Sequence, residues 1–210
     1  MYTHKNSLVF SPLQENHLEE LAKLKSNSWA TTHQTVYLDR KKQRDWFDSM
    51  NERNQYMVLS LKSTQDNADN SAVVGGDVAF MGLTGINSVS RVAGITASLF
   101  PSYRGKDYSQ KVWESVTDFG FEMFNLNRIE CEVLSNNIVS LKKCISVGYK
   151  VEGTRRQAVY KSGIYLDSYM LGLLRTDWRI SDRVEAMGGI CNYDARMPNV
   201  SQMFEAGSTQ

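Results

Sequence analysis

The stretch "LFPSYRGKDYSQ", residues 99–110, ends an apolar run at Pro101 and passes through Arg104, Gly105 and Lys106 into a segment with helical spacing. A strand that enters a helix through a glycine-containing turn points several backbone N–H groups into one concavity, at the positive end of the helix dipole. Arg104 and Lys106 add positive charge, and Gly105 leaves room for close backbone approach. This is anion chemistry, with Leu99 at the entrance and Tyr108 and Ser109 on the far side of the turn. Asp107 sets a carboxylate in the middle of it, and Asp is a favoured helix N-cap whose oxygen can take the helix's own N–H groups in competition with a phosphate. By itself the turn admits two readings: a phosphate nest, or an ordinary strand-to-helix turn with exposed basic side chains. It is not a Walker loop, because no G-x-x-x-x-G-K-[ST] occurs in the chain.

A second strand, polar turn and helix follows in "EVLSNNIVSLKKCISVGYKVEG", with Asn136 and Asn137 opening the helix and Gly148 closing it. Two neighbouring strands whose carboxyl ends face helix starts make the kind of crevice in which ligands of open α/β sheets lie. His33 stands in "NSWATTHQTVYLDR", which has no clear period and reads as a loop able to shape a binding site. No G-x-S-x-G turn accompanies any Ser, His and Asp set. Asp167 and Tyr169, on the last strand, are candidates for the same cleft.

Around these residues the apolar pattern predicts a strand at 8–10, a helix carrying Leu18, Leu21 and Leu24, and a second helix capped by Asp39 and carrying Trp46, Phe47 and Met50. "YMVLSLKS" reads as a strand, and "VVGGDVAFMGLTGI" with "RVAGITASLF" as a long antiparallel hairpin. Tyr108, Val112, Val116, Phe119 and Met123 mark an amphipathic helix of about four turns. "RIECEVL" alternates as a strand. Ile138, Leu141 and Ile145 are expected to face inward on the next helix, and a hairpin turning at Lys161-Ser162-Gly163 closes the chain. The order predicts a mixed sheet of about seven strands with helices on both faces, in the α/β to α+β range. Residues 1–178 form the expected domain, and 179–210 an irregular or docked tail.

The chain has 210 residues, 41% hydrophobic and 22% charged, which suits one globular domain with an appendage. A net charge of +1 gives no general pull toward nucleic acid or acidic membrane. Cys131, Cys144 and Cys191 are too few and too scattered for a disulfide framework or a zinc site, and fit a reducing compartment. No apolar stretch approaches the roughly 18 residues of a membrane span, and the first ten residues lack a signal-peptide core. The expectation is a cytoplasmic protein.

"FPSYRGKDYSQKVWESVTDFGF" and "LNRIECEVLSNNIVSLKKCISVGYKVEGTRRQAVYKSGIYLDSYMLGLLRTDW" resemble the core of the GNAT superfamily of N-acetyltransferases, and most its ribosomal-protein N-terminal (RimJ/RimL-like) branch. The resemblance spans residues 8–178. It implies a V-shaped splay between two parallel strands, "GITASLF" and "RIECEVL", that holds the pantetheine arm of acetyl-CoA. The family's pyrophosphate motif falls on Arg104, Asp107 and Ser109, with Asp107 where a Gly is usual; Leu99, Gly105, Lys106 and Tyr108 belong to the same turn. Asn137 matches the Asn that contacts the cofactor. Cys144 stands where many relatives place a Tyr that protonates the departing thiolate; it is either that acid or a small buried apolar residue, and Ser140, one turn earlier, is the alternative donor. Gly94 stands where a Glu often relays the amine's proton, leaving Asp77, Glu130 and Glu132 as carboxylates able to act through water.

The implied activity is direct transfer of an acetyl group to a primary amine, by a monomer or homodimer. A lysine-like amine is only about 0.1% neutral near pH 7.4, whereas a protein N-terminus is roughly 30% neutral. Without a strong base, a protein α-amine or a weakly basic small-molecule amine is therefore expected over lysine. Two alternatives stand beside this: a non-catalytic binding or inhibitory module with its CoA site spoiled by Asp107, and an acetyltransferase for an amino sugar, polyamine or modified nucleobase. His33, Asp167 and Tyr169 are the expected substrate-side residues.

Overall fold

Nearly every apolar run in the chain is short enough to be a strand, and the runs assemble side by side. The computed structural model describes residues 2–3, 8–33, 39–62 and 74–178. In order they form β1 (Tyr2–Thr3), β2 (Leu8–Pro12), α1 (Leu18–Ser28), α2 (Arg40–Asp48), β3 (Gln55–Lys62), β4 (Val74–Asn87), β5 (Val92–Leu99), α3 (Tyr108–Met123), β6 (Arg128–Leu134), α4 (Ile138–Val147), β7 (Lys150–Lys161) and β8 (Ile164–Leu174). One sheet results, in the order β1-β2-β3-β4-β5-β6-β8-β7. It has the expected mixed architecture, with the two-residue β1 added at one edge. The chain divides into two units, Met1–Asp177 and Trp178–Gln210. The expected tail, 179–210, lies outside the described residues, as do 34–38 of the loop after α1.

Cross-strand register explains why both faces are covered. Val58 pairs with Phe80, and both pack against Leu21 and Leu24 of α1, with Trp46 and Phe47 of α2 beside them. Phe10 and Leu59 are paired neighbours on the opposite face, where Phe119 of α3 stacks on Phe10 with ring centroids 4.5 Å apart. A strand alternates its side chains between faces, so β2, β3 and β4 are apolar at both parities because each face meets a helix.

Two helices differ in detail from their predicted faces. Met123 is 56% exposed at the end of α3, whose buried stripe is Val112, Val116 and Phe119 together with Trp113 and Phe121. On α4 the core face is Leu141, Cys144 and Val147, while Ile138 is 37% exposed. The predicted and observed stripes share Leu141; the observed one is rotated toward the side that Tyr149 and β6 cover. Gly148 ends α4 as expected, in the left-handed region at φ +112°, with its N–H on the Cys144 and Ile145 carbonyls.

The feature that positions a site is the join between β5 and β6. They pair in parallel at Val92↔Arg128, Ala93↔Ile129 and Gly94↔Glu130, and not beyond. Every other neighbouring pair in the sheet is antiparallel. Past Gly94 and Glu130 the two strands diverge, which is the predicted V-shaped splay.

Candidate active site

The splay opens into two cavities, of about 530 Å³ and about 480 Å³. They meet at Thr31, Thr32, Ala97, Ser98, Trp113, Asn137 and Ser140, which line both. One continuous cleft therefore runs between the strands, with Ser140 at its waist.

Asn136 and Asn137 bring the α1–α2 loop to this waist. Asn136 Nδ2 donates to the Ala30 carbonyl and Asn137 Nδ2 to that of Thr31, each at 2.9 Å. Asn137 Oδ1 meanwhile accepts from the Ser140 N–H at 3.2 Å, capping α4. Its amide thus serves as cap and pin together, where the sequence announces a helix start and the resemblance implies a cofactor contact.

Leu99, Arg104, Gly105 and Ser109 line the smaller cavity. Gly105 sits at φ +70° with nothing within 4 Å of where a Cβ would be, so the requirement for glycine here is conformational. Arg104 Nε donates to the Leu99 carbonyl at 3.2 Å, which folds the side chain back along the cleft. Asp107 is exposed and makes no side-chain bond to the helix it precedes. The competition expected of it as a cap does not occur, and the first-turn N–H groups of α3 remain available to an anion. Lys106, Asp107 and Tyr108 build the turn without lining the cavity; Lys106 Nζ lies 5.7 Å from the Tyr103 ring centroid, and Tyr103 meets Tyr108 edge-on.

The larger cavity is charged. Glu130, Glu132 and Glu152 line it, together with Arg128 and Arg155. Arg128 donates from Nε to Glu130 at 2.6 Å and grips both oxygens of Glu152. The Glu152 hydrogen bonds hold that guanidinium above its ordinary range, and the same bonds hold the Glu152 carboxyl below its own. Gly172 makes the slot, because a Cβ there would collide with the guanidinium. Arg155 Nη1 lies 2.9 Å from Glu132 Oε1. Of the three carboxylates suggested earlier, Glu130 and Glu132 face the cleft, whereas Asp77 accepts from Ser60 Oγ at 2.7 Å and lines neither cavity. At Gly94, which does line the cavity, a Cβ would sit 2.9 Å from Thr84 Oγ1, so Thr84 occupies the space where a carboxylate would project.

His33 reaches this cavity, with Nε2 3.0 Å from Ser168 Oγ and 3.9 Å from Glu132 Oε2. Burial lowers its pKa below the ordinary imidazole value, Glu132 opposes that, and Lys161 and Arg155 reinforce it. Since Ser168 points toward His33, its neighbours Asp167 and Tyr169 point to the other face of β8. Asp167 there accepts the Gln157 N–H at 2.7 Å, at an irregularity in β7. Met170, on the same face of β8 as Ser168, and Leu171 line the larger cavity, while Ser168 itself is fully buried. Cys144 is fully buried, 3.9 Å from Cys131 Sγ, and lines neither cavity. Ser140, the alternative candidate, lines both cavities. The Arg128 cluster and Ser168 went unnoticed in the sequence; the alternation of Arg128, Glu130 and Glu132 along β6 was the available signal.

The chain matches the acetyltransferase (GNAT) domain family over residues 7–150, and it belongs to that family. It is an acyltransferase, with acetyl-CoA as co-substrate. It is 28% identical over 147 residues to an uncharacterized N-acetyltransferase, p20, of Bacillus licheniformis, covering 69% of this chain and 78% of that one. A probable N-acetyltransferase of Bacillus subtilis (strain 168), YjcK, is 28% identical over 92 residues, 44% of this chain and 51% of that one. Among solved structures, the spermidine N-acetyltransferase from Vibrio cholerae in complex with CoA and spermine superposes with a TM-score of 0.73 at 17% identity, covering 83% of this chain and 99% of that one. Likeness at that identity is likeness of fold. Among the described residues no helix is long and apolar enough to cross a membrane.

Proposed function

We propose that this enzyme transfers the acetyl group of acetyl-CoA directly to a weakly basic primary amine, a protein N-terminal α-amine or a small-molecule amine, as in the RimJ/RimL-like branch its sequence resembles. The observation that carries the reading is the waist at Ser140, where a cavity ending on Arg104, Gly105 and the start of α3 meets a cavity of acidic and basic side chains. In this reading the turn 104–109 takes the pyrophosphate through N–H groups and Arg104, and the pantetheine arm lies between β5 and β6 past Leu99 and Asn137. The Ser140 hydroxyl gives the leaving sulfur its proton. The rate comes mainly from alignment of amine and carbonyl across the waist.

In the larger cavity, guanidiniums take up the carboxylates: Arg128 engages Glu130 and Glu152, and Arg155 engages Glu132. That balance favours an acceptor carrying little positive charge. A second reading, a polyamine acceptor, draws on the same three glutamates and requires the arginines to yield them.

A thiol-release assay at pH 7.4 with acetyl-CoA and four amines separates these readings: a seryl dipeptide, glucosamine, spermidine and Nα-acetyl-lysine. The dipeptide or the amino sugar is expected to exceed the lysine ε-amine in kcat/KM by about 100-fold or more, the ratio of their neutral fractions. Spermidine as the best substrate selects the second reading. An ε-amine used as well as the α-amine rules out the preference for low basicity.

A further inference from the structure

Ser168 is fully buried on β8, and its hydroxyl is shared by side chains from two other parts of the fold. Oγ lies 3.0 Å from His33 Nε2 and 3.1 Å from Glu132 Oε2. A hydroxyl has one proton to give. Glu132, with Arg155 at 2.9 Å on its other oxygen, is an ionised carboxylate that can only accept. Ser168 therefore donates to Glu132, and its bond to His33 runs the other way: Nε2–H donates to Oγ. The neutral ring then carries its lone pair on Nδ1. Among the described residues Nδ1 has no hydrogen-bond partner, and His33 lines the larger cavity.

We infer that His33 is the general base of the acetyl transfer, acting through Nδ1, and that Ser168 and Glu132 are positioning residues that fix its tautomer. The inference rests on the N-acetyltransferase reading and fills the place that Gly94 leaves without a carboxylate. The acceptor enters as an ammonium; Nδ1 takes one proton, and the freed nitrogen lone pair attacks the thioester carbonyl. An N–C bond forms and the C–S bond breaks. As the amide forms, the second nitrogen proton makes good the one that Ser140 Oγ–H gives to the departing sulfur, so the sulfur ends as a thiol, and the imidazolium returns its proton to solvent. While it is charged, the ring is supported by the chain Nε2–H to Oγ–H to Oε2, which ends on a full negative charge.

The groups facing His33 are Glu132 from β6, Arg155 and Lys161 from β7, and Ser168 from β8. Burial keeps the ring neutral to lower pH than free imidazole, and Arg155 and Lys161 act the same way; Glu132 alone favours the charged form. Loss of the Glu132 charge must therefore shift the titration of His33 downward.

Two readouts on the full-length protein test this. Long-range 1H–15N spectra of the histidine side chains at pH 8, with the His33 signals identified by their loss in His33→Gln, should show a single Nε2-protonated tautomer that becomes a mixture in Ser168→Ala. An Nδ1-protonated ring in the wild type, or a tautomer indifferent to Ser168, overturns the positioning role. In kinetics with acetyl-CoA and the amine that turns over best, His33→Gln should lower kcat about 100-fold or more. It should also leave the acetyl-CoA KM within about twofold and abolish the acid limb of the pH profile, while Glu132→Gln moves that limb to lower pH. An acid limb that survives in His33→Gln, or a kcat loss below about threefold, overturns the base. If none of the four amines is turned over, the transferase reading fails and the base role with it, whereas the tautomer result is decided by the spectra alone.

Discussion

A carboxylate at the mouth of an anion site repels its ligand only as far as distance and salt allow. Asp107 is exposed, has φ −69° and ψ 8°, and gives no side-chain bond to α3, so in the proposed pyrophosphate site it would act as a removable repulsion rather than a plug in the turn. Exposed charge interactions of this kind are worth about 0.2–1 kcal/mol and fade over a Debye length of about 10 Å at 0.1 M salt. Asp107→Asn is therefore expected to tighten CoA binding roughly two- to fivefold at low ionic strength, with the gain vanishing toward 1 M salt. Arg104 lines the cavity itself, and Arg104→Glu reverses a charge there; CoA should bind at least about tenfold more weakly. Isothermal titration with CoA at two salt concentrations checks both. Weaker binding by Asp107→Asn would mean that the carboxylate orders the turn, and unchanged binding by Arg104→Glu would move the phosphate site elsewhere.

Lys25 links α1 to α2: it is buried, with Nζ 3.9 Å from the ring centroid of Trp46. Burial depresses its pKa from 10.5 to about 8. The folded state thus prefers the neutral amine, so this group's contribution to stability is present in full above pH 10.5 and is lost as pH falls through about 8. Relative to Lys25→Met, the wild type should gain stability from pH 8 to 10.5, with a slope of at most about 1.4 kcal/mol per pH unit. Urea unfolding of both proteins across that window measures the difference, and parallel curves would show the ammonium to be solvated. The elements themselves were legible where the signal is local: the β4–β5 hairpin, α3, the Asp39 cap and the Gly148 stop each announce themselves within a few residues. Parity on β8 was not. "IYLDSYMLGLL" is apolar at both parities, so hydrophobicity does not decide whether Asp167 and Tyr169 or Ser168 and Met170 face the cleft. Nor could spacing reveal that Asn137 holds Thr31, a contact across 106 residues. Cys144 was legible as a residue but not as a partner of Cys131, because that depends on which stripe of α4 turns inward.

At the scale of the whole molecule the sheet is two blocks, β1 to β5 and β6 to β7, joined along their seam by only three parallel residue pairs. That short seam leaves the facing edges of β5 and β6 unpaired with each other over residues 95–99 and 131–134, which is what lets a strand-like ligand enter. It also means that a ligand lying in the splay bonds to both blocks and stabilises the folded state as a unit. At 100 times Kd, binding to the native state alone adds about 2.7 kcal/mol. For a domain of this size that corresponds to a rise in melting temperature of roughly 5–10 °C. CoA should therefore raise the melting point by that amount and slow amide exchange at 95–99 and 131–134. Inorganic phosphate, which reaches only the turn at 104–109, should protect the start of α3 and leave the two strand edges exchanging as before. Equal protection by both ligands would place the binding energy in the turn alone. A melting shift with CoA and no protection of β5 or β6 would mean that the pantetheine arm does not enter the splay, and the cleft with Ser140 at its waist would then not be where transfer occurs.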